Sequence, residues 1–334
     1  MRNTIVITLQ KCGMMAMSMS IQQRMEQTID GSLPYNDYGR WIRQRMGMRM
    51  QKLPVNAGFS CPNRDGRLSK HGCAFCVNSS FTPPYCQPDA SITQQLEAGK
   101  RFFSHKYPDA GYLAYFQSFT NTYADIDTLR SRYEEALAVE GIRGLVISTR
   151  PDCLSNSCLD YLERLSRRTF LTVEIGIESM NDNTLMRMNR QHDTSCVRQA
   201  TEALSSRGII TCGHIILGLP QESEEEMLQQ AWQISRLPIQ ILKIHQLQVL
   251  RGTALAKSWE EGHFRVSTSD EYLSLLARYI CRLRSDLVLE RFFSSSPMQM
   301  VIAPQWGIRP SILNKKLAEL MWEKGWHQGI YAAP

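Results

Sequence analysis

The chain has 334 residues, of which 43% are hydrophobic and 21% charged. That mixture excludes wholesale disorder and leaves room for one large domain or two ordinary ones. No run approaches the roughly 18 apolar residues of a membrane-spanning helix, and the start carries no clear secretory cleavage site, so a cytoplasmic protein with no membrane partner is expected. Lys plus Arg number 38 against 32 for Asp plus Glu, a net charge of +6, which permits an acidic partner without demanding one.

Residues 1–30 hold Met14, Met15, Met17, Met19 and Met25 with little periodicity. They are expected to be a disordered segment, or one that precedes the true start. From residue 50 onward, short apolar, β-rich runs appear at 52–58, 110–117, 143–149, 170–177, 209–217 and 240–247. Helical spacing fills the gaps. Ile126, Leu129, Tyr133 and Leu137 share one face, with Asp125 or Asp127 as a cap and Gly141 as a stop. Leu159, Leu162 and Leu165 mark a second helix, and Val197, Thr201 and Leu204 a third that ends at Gly208. Ser223 and Glu226 form a capping box for a fourth, which Pro238 follows.

Strands alternating with helices predict successive βα units around a parallel sheet, and strands apolar almost throughout suggest a sheet covered on both faces. Six units predict an α/β fold, a partial (β/α)6 TIM-like barrel over 38–257, with its chemistry at the carboxyl ends of the strands. Residues 258–334 break the rhythm and predict an α+β extension: a helix near 270–285, a strand near 298–303 and a terminal helix near 311–324.

The sharpest feature is a loop at 58–78 directly after the first strand, carrying Cys61, Cys73 and Cys76 among Gly and Pro residues. Three thiolates in a flexible loop can converge on one soft metal centre, whether zinc, copper(I) or iron–sulfur. Structural zinc and pure electron-transfer clusters usually take four ligands, so three leave a position open for substrate or cofactor. A fourth ligand from His71 or Cys86 would make a closed zinc knuckle instead. Cys158, Cys196 and Cys281 fall on helical patterns, and Cys12, Cys153 and Cys212 have no evident partner.

These residues resemble the radical S-adenosylmethionine (SAM) enzymes, and more closely the bacterial YhcC type, related to the radical SAM domain of the Elongator catalytic subunit. The resemblance spans about 38–306. It rests on Gly58-Phe59-Ser60-Cys61-Pro62-Asn63-Arg64-Asp65-Gly66 with Cys73 and Cys76, on Tyr115-Phe116-Gln117, and on Thr149-Arg150-Pro151-Asp152. Further matches are Gly176-Ile177-Glu178-Ser179, Asn189-Arg190-Gln191-His192, Gly218-Leu219-Pro220, and Lys243-Ile244-His245 followed by Arg251-Gly252-Thr253. The commonest family triad spaces its first two cysteines far more closely; here eleven residues intervene, as on the Elongator side of the family.

The resemblance implies a [4Fe-4S] cluster on Cys61, Cys73 and Cys76, with SAM on the open iron. Its reductive cleavage would yield a 5′-deoxyadenosyl radical that abstracts hydrogen from substrate, with an electron donor such as flavodoxin or ferredoxin. It also implies roles for single residues. Gln117 stands where relatives place a loop holding the methionine amine. Glu178 stands where coproporphyrinogen oxidases carry a SAM-binding Gln, and Arg190 matches an Arg that contacts the methionine carboxylate. His214 replaces an Asp that faces the ribose, and Ser148 replaces a Glu. By residue type alone, Glu178 could cap the following helix, Arg190 could be a surface charge, and His214 and His245 could be core histidines; position puts both near the barrel mouth.

The substrate signal is weaker. Arg40, Arg43, Arg45, Arg49 and Lys52 form a basic stretch around Trp41, and Arg64, Arg67 and Lys70 lie within the loop. Such charge around a mouth suits RNA, or is a solvated helix face. Elongator's action on wobble uridines points to tRNA. With no room in 334 residues for Elongator's acetyltransferase domain, radical chemistry on an existing uridine side chain is expected. The alternative is a non-catalytic, zinc-stabilised nucleic-acid-binding protein.

Overall fold

Alternation at period two is what builds this sheet. In the strand Phe170–Glu178 (β4), Leu171, Val173, Ile175 and Ile177 point one way into a continuous apolar core, while Thr172, Glu174, Gly176 and Glu178 point the other. The computed structural model describes residues 33–332 apart from 88 and 295, so the 1–30 segment lies outside the described residues. The expected strands appear as Met50–Val55 (β1), Gly111–Phe116 (β2), Ile142–Thr149 (β3), β4, Ile210–Leu217 (β5) and Ile241–Gln246 (β6). All pair in parallel, in sequence order.

Outside the sheet run the helices Ile92–Ser104 (α2), Ile126–Ala138 (α3), Asn156–Ser166 (α4), Asp182–Arg187 (α5), Thr194–Ser205 (α6) and Glu224–Ser235 (α7). Asp125 caps α3, and Ser223 and Glu226 form the expected capping box on α7. Leu129 and Tyr133 of α3, Leu162 and Leu165 of α4, and Val197 and Leu204 of α6 bury against the strands' apolar face.

Two features differ from expectation. A seventh strand, Val288–Arg291 (β8), pairs in parallel with β6 and ends the sheet. At four residues it is too short for its periodicity to register. It comes from the 258–334 region, which also holds Ser269–Arg282 (α9) and Pro310–Glu323 (α10), while Val301–Ala303 (β9) pairs with Val249–Leu250 (β7) in a second, two-stranded sheet. Ala254–Glu260 (α8) lies between β7 and α9.

The other difference is the inner face, which the apolar character of the strands concealed. It is polar, lined by Lys52, Tyr115, Ser148, Glu174, His214, Lys243 and Glu290. Helix Tyr38–Met46 (α1) plugs the end of the barrel at the strands' amino termini. Trp41 packs at 6.4 Å from Phe170, the first residue of β4, and Tyr38 and Trp41 pack on Ile210, Ile241 and Val288. No helix among the described residues is long and apolar enough to cross a membrane.

The position of α1 favours the solvated helix face over the mouth for the arginines of the basic stretch. Arg40, Arg43, Arg45 and Arg49 are exposed, but at the end of the barrel opposite the cysteine loop. Lys52 is not a surface charge: it points inward and pairs with Glu174 at 2.8 Å and Glu290 at 2.5 Å.

Candidate functional site

At the carboxyl ends of the strands lies a cavity of about 270 Å³. Cys61, Cys73 and Cys76 line one side of it. Gln117, Ser148, Glu178, Arg190, His214 and His245 also line it, so residues spread over 185 positions of sequence, from Cys61 to His245, meet at one place. Neither His71 nor Cys86 is in this wall. Cys86 is buried beside β1, with its thiol donating to the Pro54 carbonyl at 2.9 Å.

The cysteine loop is held by a chain of contacts between loops. Asn63 Nδ2 donates to the Asn189 carbonyl at 2.6 Å, and Asn189 Nδ2 donates to the Gly72 carbonyl at 2.7 Å. The Ala74 amide donates to the Met188 carbonyl at 2.9 Å. Arg150 forks onto Asp152, with both bonds at 2.8 Å, and donates to the Arg190 carbonyl at 2.8 Å. The Thr149–Asp152 turn thus holds the Asn189–His192 loop, which in turn holds the cysteines. Gly72 has φ +73°, and a Cβ there would meet the Arg64 guanidinium carbon at 2.8 Å. That guanidinium donates to the Cys76 carbonyl, so the close approach needs glycine.

Arg190 and Glu178 form the adjoining wall. Arg190 is buried and donates to the Gly176 carbonyl at 2.7 Å and to Cys73 Sγ at 3.4 Å, with Glu178 Oε1 3.4 Å away. It is therefore no surface charge. Its Nε is buried without a partner among the described residues. Glu178 has φ +68° at a register shift between β4 and β5, a strained backbone position of the kind concentrated at functional sites. Asn181, not Glu178, caps the next helix. His192 is pushed down to about 3 by burial and by Arg190 and Arg150, so it is neutral.

Across the cavity the sequence concealed a charge network. Glu174 accepts from Lys243 at 2.5 Å, Tyr115 OH at 2.7 Å, Lys52 at 2.8 Å and Ser148 Oγ at 2.9 Å, and His214 Nε2 lies 3.0 Å away. Burial alone would push the Glu174 carboxyl up, but Lys243, Lys52 and His214 outweigh it and hold it well below the usual carboxylate range. Burial lowers Lys243, whereas for Lys52 the two carboxylates outweigh burial and raise it. Ser148 is thus occupied by Glu174. His245 donates to or accepts from Ser294 Oγ at 2.7 Å, lies 5.4 Å from the His214 ring, and is kept neutral by burial beside His214. The available signal was a Glu and a Lys in the middle of otherwise apolar strands, where an unpaired charge is prohibitive.

The cysteines fit an iron–sulfur cluster. Burial and the neighbouring Cys73 push the Cys76 thiol up to about 11, so a cation beside the pair is what would let both ionise. Cys73 Sγ already accepts two N–H donors, as a metal-bound thiolate does.

Comparison with known proteins shows the family. The family profile "Radical SAM superfamily" matches residues 66–230, and "Radical_SAM C-terminal domain" matches 239–321. The chain is 33% identical over 301 residues to YtqA of Bacillus subtilis, covering 89% of this chain and 92% of that protein. It is 34% identical over 272 residues to protein YhcC of Escherichia coli, covering 81% and 87%. A more distant relative is named tRNA uridine(34) acetyltransferase, from Methanocaldococcus infernus, at 23% identity over 54% of this chain and 33% of that one. In fold, the archaeal Methanocaldococcus infernus Elp3 superposes with a TM-score of 0.64 at 16% identity, covering 84% of this chain and 64% of that one. With its partial barrel, its three-cysteine loop and a likeness to YhcC and YtqA over more than four fifths of its length, the chain belongs to the radical SAM superfamily, in the family of those two proteins.

Proposed function

We propose that the protein is a radical SAM enzyme that holds a [4Fe-4S] cluster on Cys61, Cys73 and Cys76 and acts on a tRNA wobble-uridine side chain. The observation that carries the cofactor reading is the cavity itself, which sets the three cysteines beside a buried, part-unsatisfied Arg190. Together the cluster and SAM supply one-electron reductive cleavage and hydrogen abstraction. The chain's own residues do the rest. Arg190, in the cavity wall, supplies the positive charge for the methionine carboxylate, and Glu178 and Gln117 accept from the amine. His214 and His245 line the side towards ribose and substrate.

The test is anaerobic reconstitution with iron and sulfide, then SAM and dithionite, with 5′-deoxyadenosine quantified. Wild type should form it, and the triple Cys61→Ala, Cys73→Ala, Cys76→Ala variant should lose both iron and product. One tight zinc in protein isolated without oxygen would instead support the zinc-stabilised nucleic-acid-binding reading.

The tRNA reading is supported by the Elongator-type resemblance and by the relative named for uridine 34. It places RNA beside the cysteine loop, where Arg67 and Lys70 are exposed, and not at α1. Reversing Arg67 and Lys70 to Glu should weaken tRNA binding and flatten its salt dependence by about one unit of slope per lost contact. Reversing Arg43 and Arg45 should leave both unchanged. The opposite pattern in a filter-binding salt series would move the RNA to the other end of the barrel. Flavodoxin or ferredoxin is the proposed electron donor.

A further inference from the structure

Asn63 and Arg190 converge on one sulfur. Asn63 Nδ2 and Arg190 Nη1 each lie 3.4 Å from Cys73 Sγ. Neither donor is there by accident of surface mobility. Asn63 is fully buried, and its orientation is set by the Asn189 carbonyl, which can only accept from Nδ2. Its Oδ1 is left buried without a partner among the described residues. An amide that leaves an acceptor unsatisfied in the interior costs stability, which its contribution to loop tethering and to the sulfur must offset. Arg190 is pinned through Nη2 by the Gly176 carbonyl and Glu178, which aims Nη1 at the same sulfur.

We propose that Asn63 and Arg190 set the reduction potential of the cluster through the Cys73 thiolate, and raise it. The proposal rests on the reading that the three cysteines hold an iron–sulfur cluster. One-electron reduction adds one negative charge to the cluster and its thiolates; no bond breaks and no proton moves. N–H donors on a ligating sulfur stabilise that added charge, as hydrogen bonds to cluster sulfurs generally do. Arg190 adds a full positive charge in a buried setting, where its field is weakly screened, so its effect exceeds that of Asn63. The same guanidinium borders the proposed SAM carboxylate site, which puts the cluster's potential and the cofactor's anchor on one side chain.

The experiment is a dithionite titration of the reconstituted full chain, without SAM, followed by electron paramagnetic resonance. Arg190→Met should shift the one-electron equilibrium at least tenfold towards the oxidised state, a fall of about 59 mV in midpoint potential. Asn63→Leu should shift it in the same direction by less. Arg190→Lys, which keeps the charge and loses the fork, should fall between wild type and Arg190→Met. Asn189→Gly cuts the tie to the Gly72 carbonyl but leaves both donors in place, and its glycine suits φ +52°; it should stay within twofold of wild type. Loaded Arg190→Met and Arg190→Lys that both titrate within twofold of wild type would overturn the proposal, even if Asn63→Leu fails to fold. A potential that falls equally in Asn189→Gly would also overturn it, by assigning the effect to loop disorder. Failure of wild type to take up iron and sulfide would instead remove the cofactor reading on which it rests.

Discussion

Glu174→Ala is expected to lower the folding free energy by about 3–5 kcal/mol, because it leaves two buried ammonium groups facing a single remaining carboxylate, Glu290. The double variant Glu174→Leu, Lys243→Leu should recover most of that loss. It removes one charge of each sign and leaves Lys52 paired with Glu290 at 2.5 Å. Denaturant unfolding of the two variants checks this. A double variant no more stable than the single would show that unpaired charge is not the cause.

The acid limb follows from the same group. Glu174 is held below its ordinary value in the folded state, so the stability it contributes is complete above its unfolded pKa of about 4.3 and is lost as pH falls through the lower folded value. Wild type should therefore lose more stability below pH ~4 than Glu174→Gln does. Recovery in the apolar double would also show that the fold does not need these charges. Their place in the cavity wall, together with His214 and Tyr115, then marks them as part of the site.

The second large effect is expected at Gly176. A Cβ there would collide with Arg190 Nη2 and come within 2.7 Å of Glu178 Oε1. Gly176→Ala is expected to displace the guanidinium and weaken its bonds to the Gly176 carbonyl and Cys73 Sγ. With Arg190 in its proposed role as anchor of the SAM carboxylate, its loss costs about 1.5–3 kcal/mol, roughly 10- to 150-fold in SAM affinity. Overpacking should take a further ~1–3 kcal/mol from stability. Equilibrium binding of SAM to the reconstituted protein checks it. Arg190→Met should lose a similar factor, and the double variant little more than either, since both remove one anchor. Gly176→Ala binding SAM within threefold of wild type would end Arg190's assignment as that anchor.

Much of this was legible in the one-dimensional pattern. The six main strands, the caps at Asp125 and Ser223 and the three-cysteine loop are local features, set by periodicity and spacing within a few residues. Gln117 directly follows β2 and Glu178 ends β4, so both fall on the rim that strand ends share, whereas Arg190 lies beyond α5 and was legible only through the family resemblance. The basic stretch misled for a related reason. Adjacency in sequence to the cysteine loop placed it near the mouth, but β1 lies between them and carries the chain from one end of the barrel to the other.

What the sequence by itself determined was the order of elements and the residues available at each strand end, because hydrophobic period and turn chemistry act over short range. Tertiary structure alone decided which side chains meet. Lys52 and Glu290 sit on the two outermost strands of the sheet, 238 positions apart, and touch because the sheet curls until its edges approach. Glu174 gathers Lys52, Tyr115, Ser148, His214 and Lys243 from five other strands because inward positions at the same height converge on the concave side. Curvature is a property of the assembled sheet, so a charge that looks prohibitive within its own strand finds its partners only when the barrel closes around it.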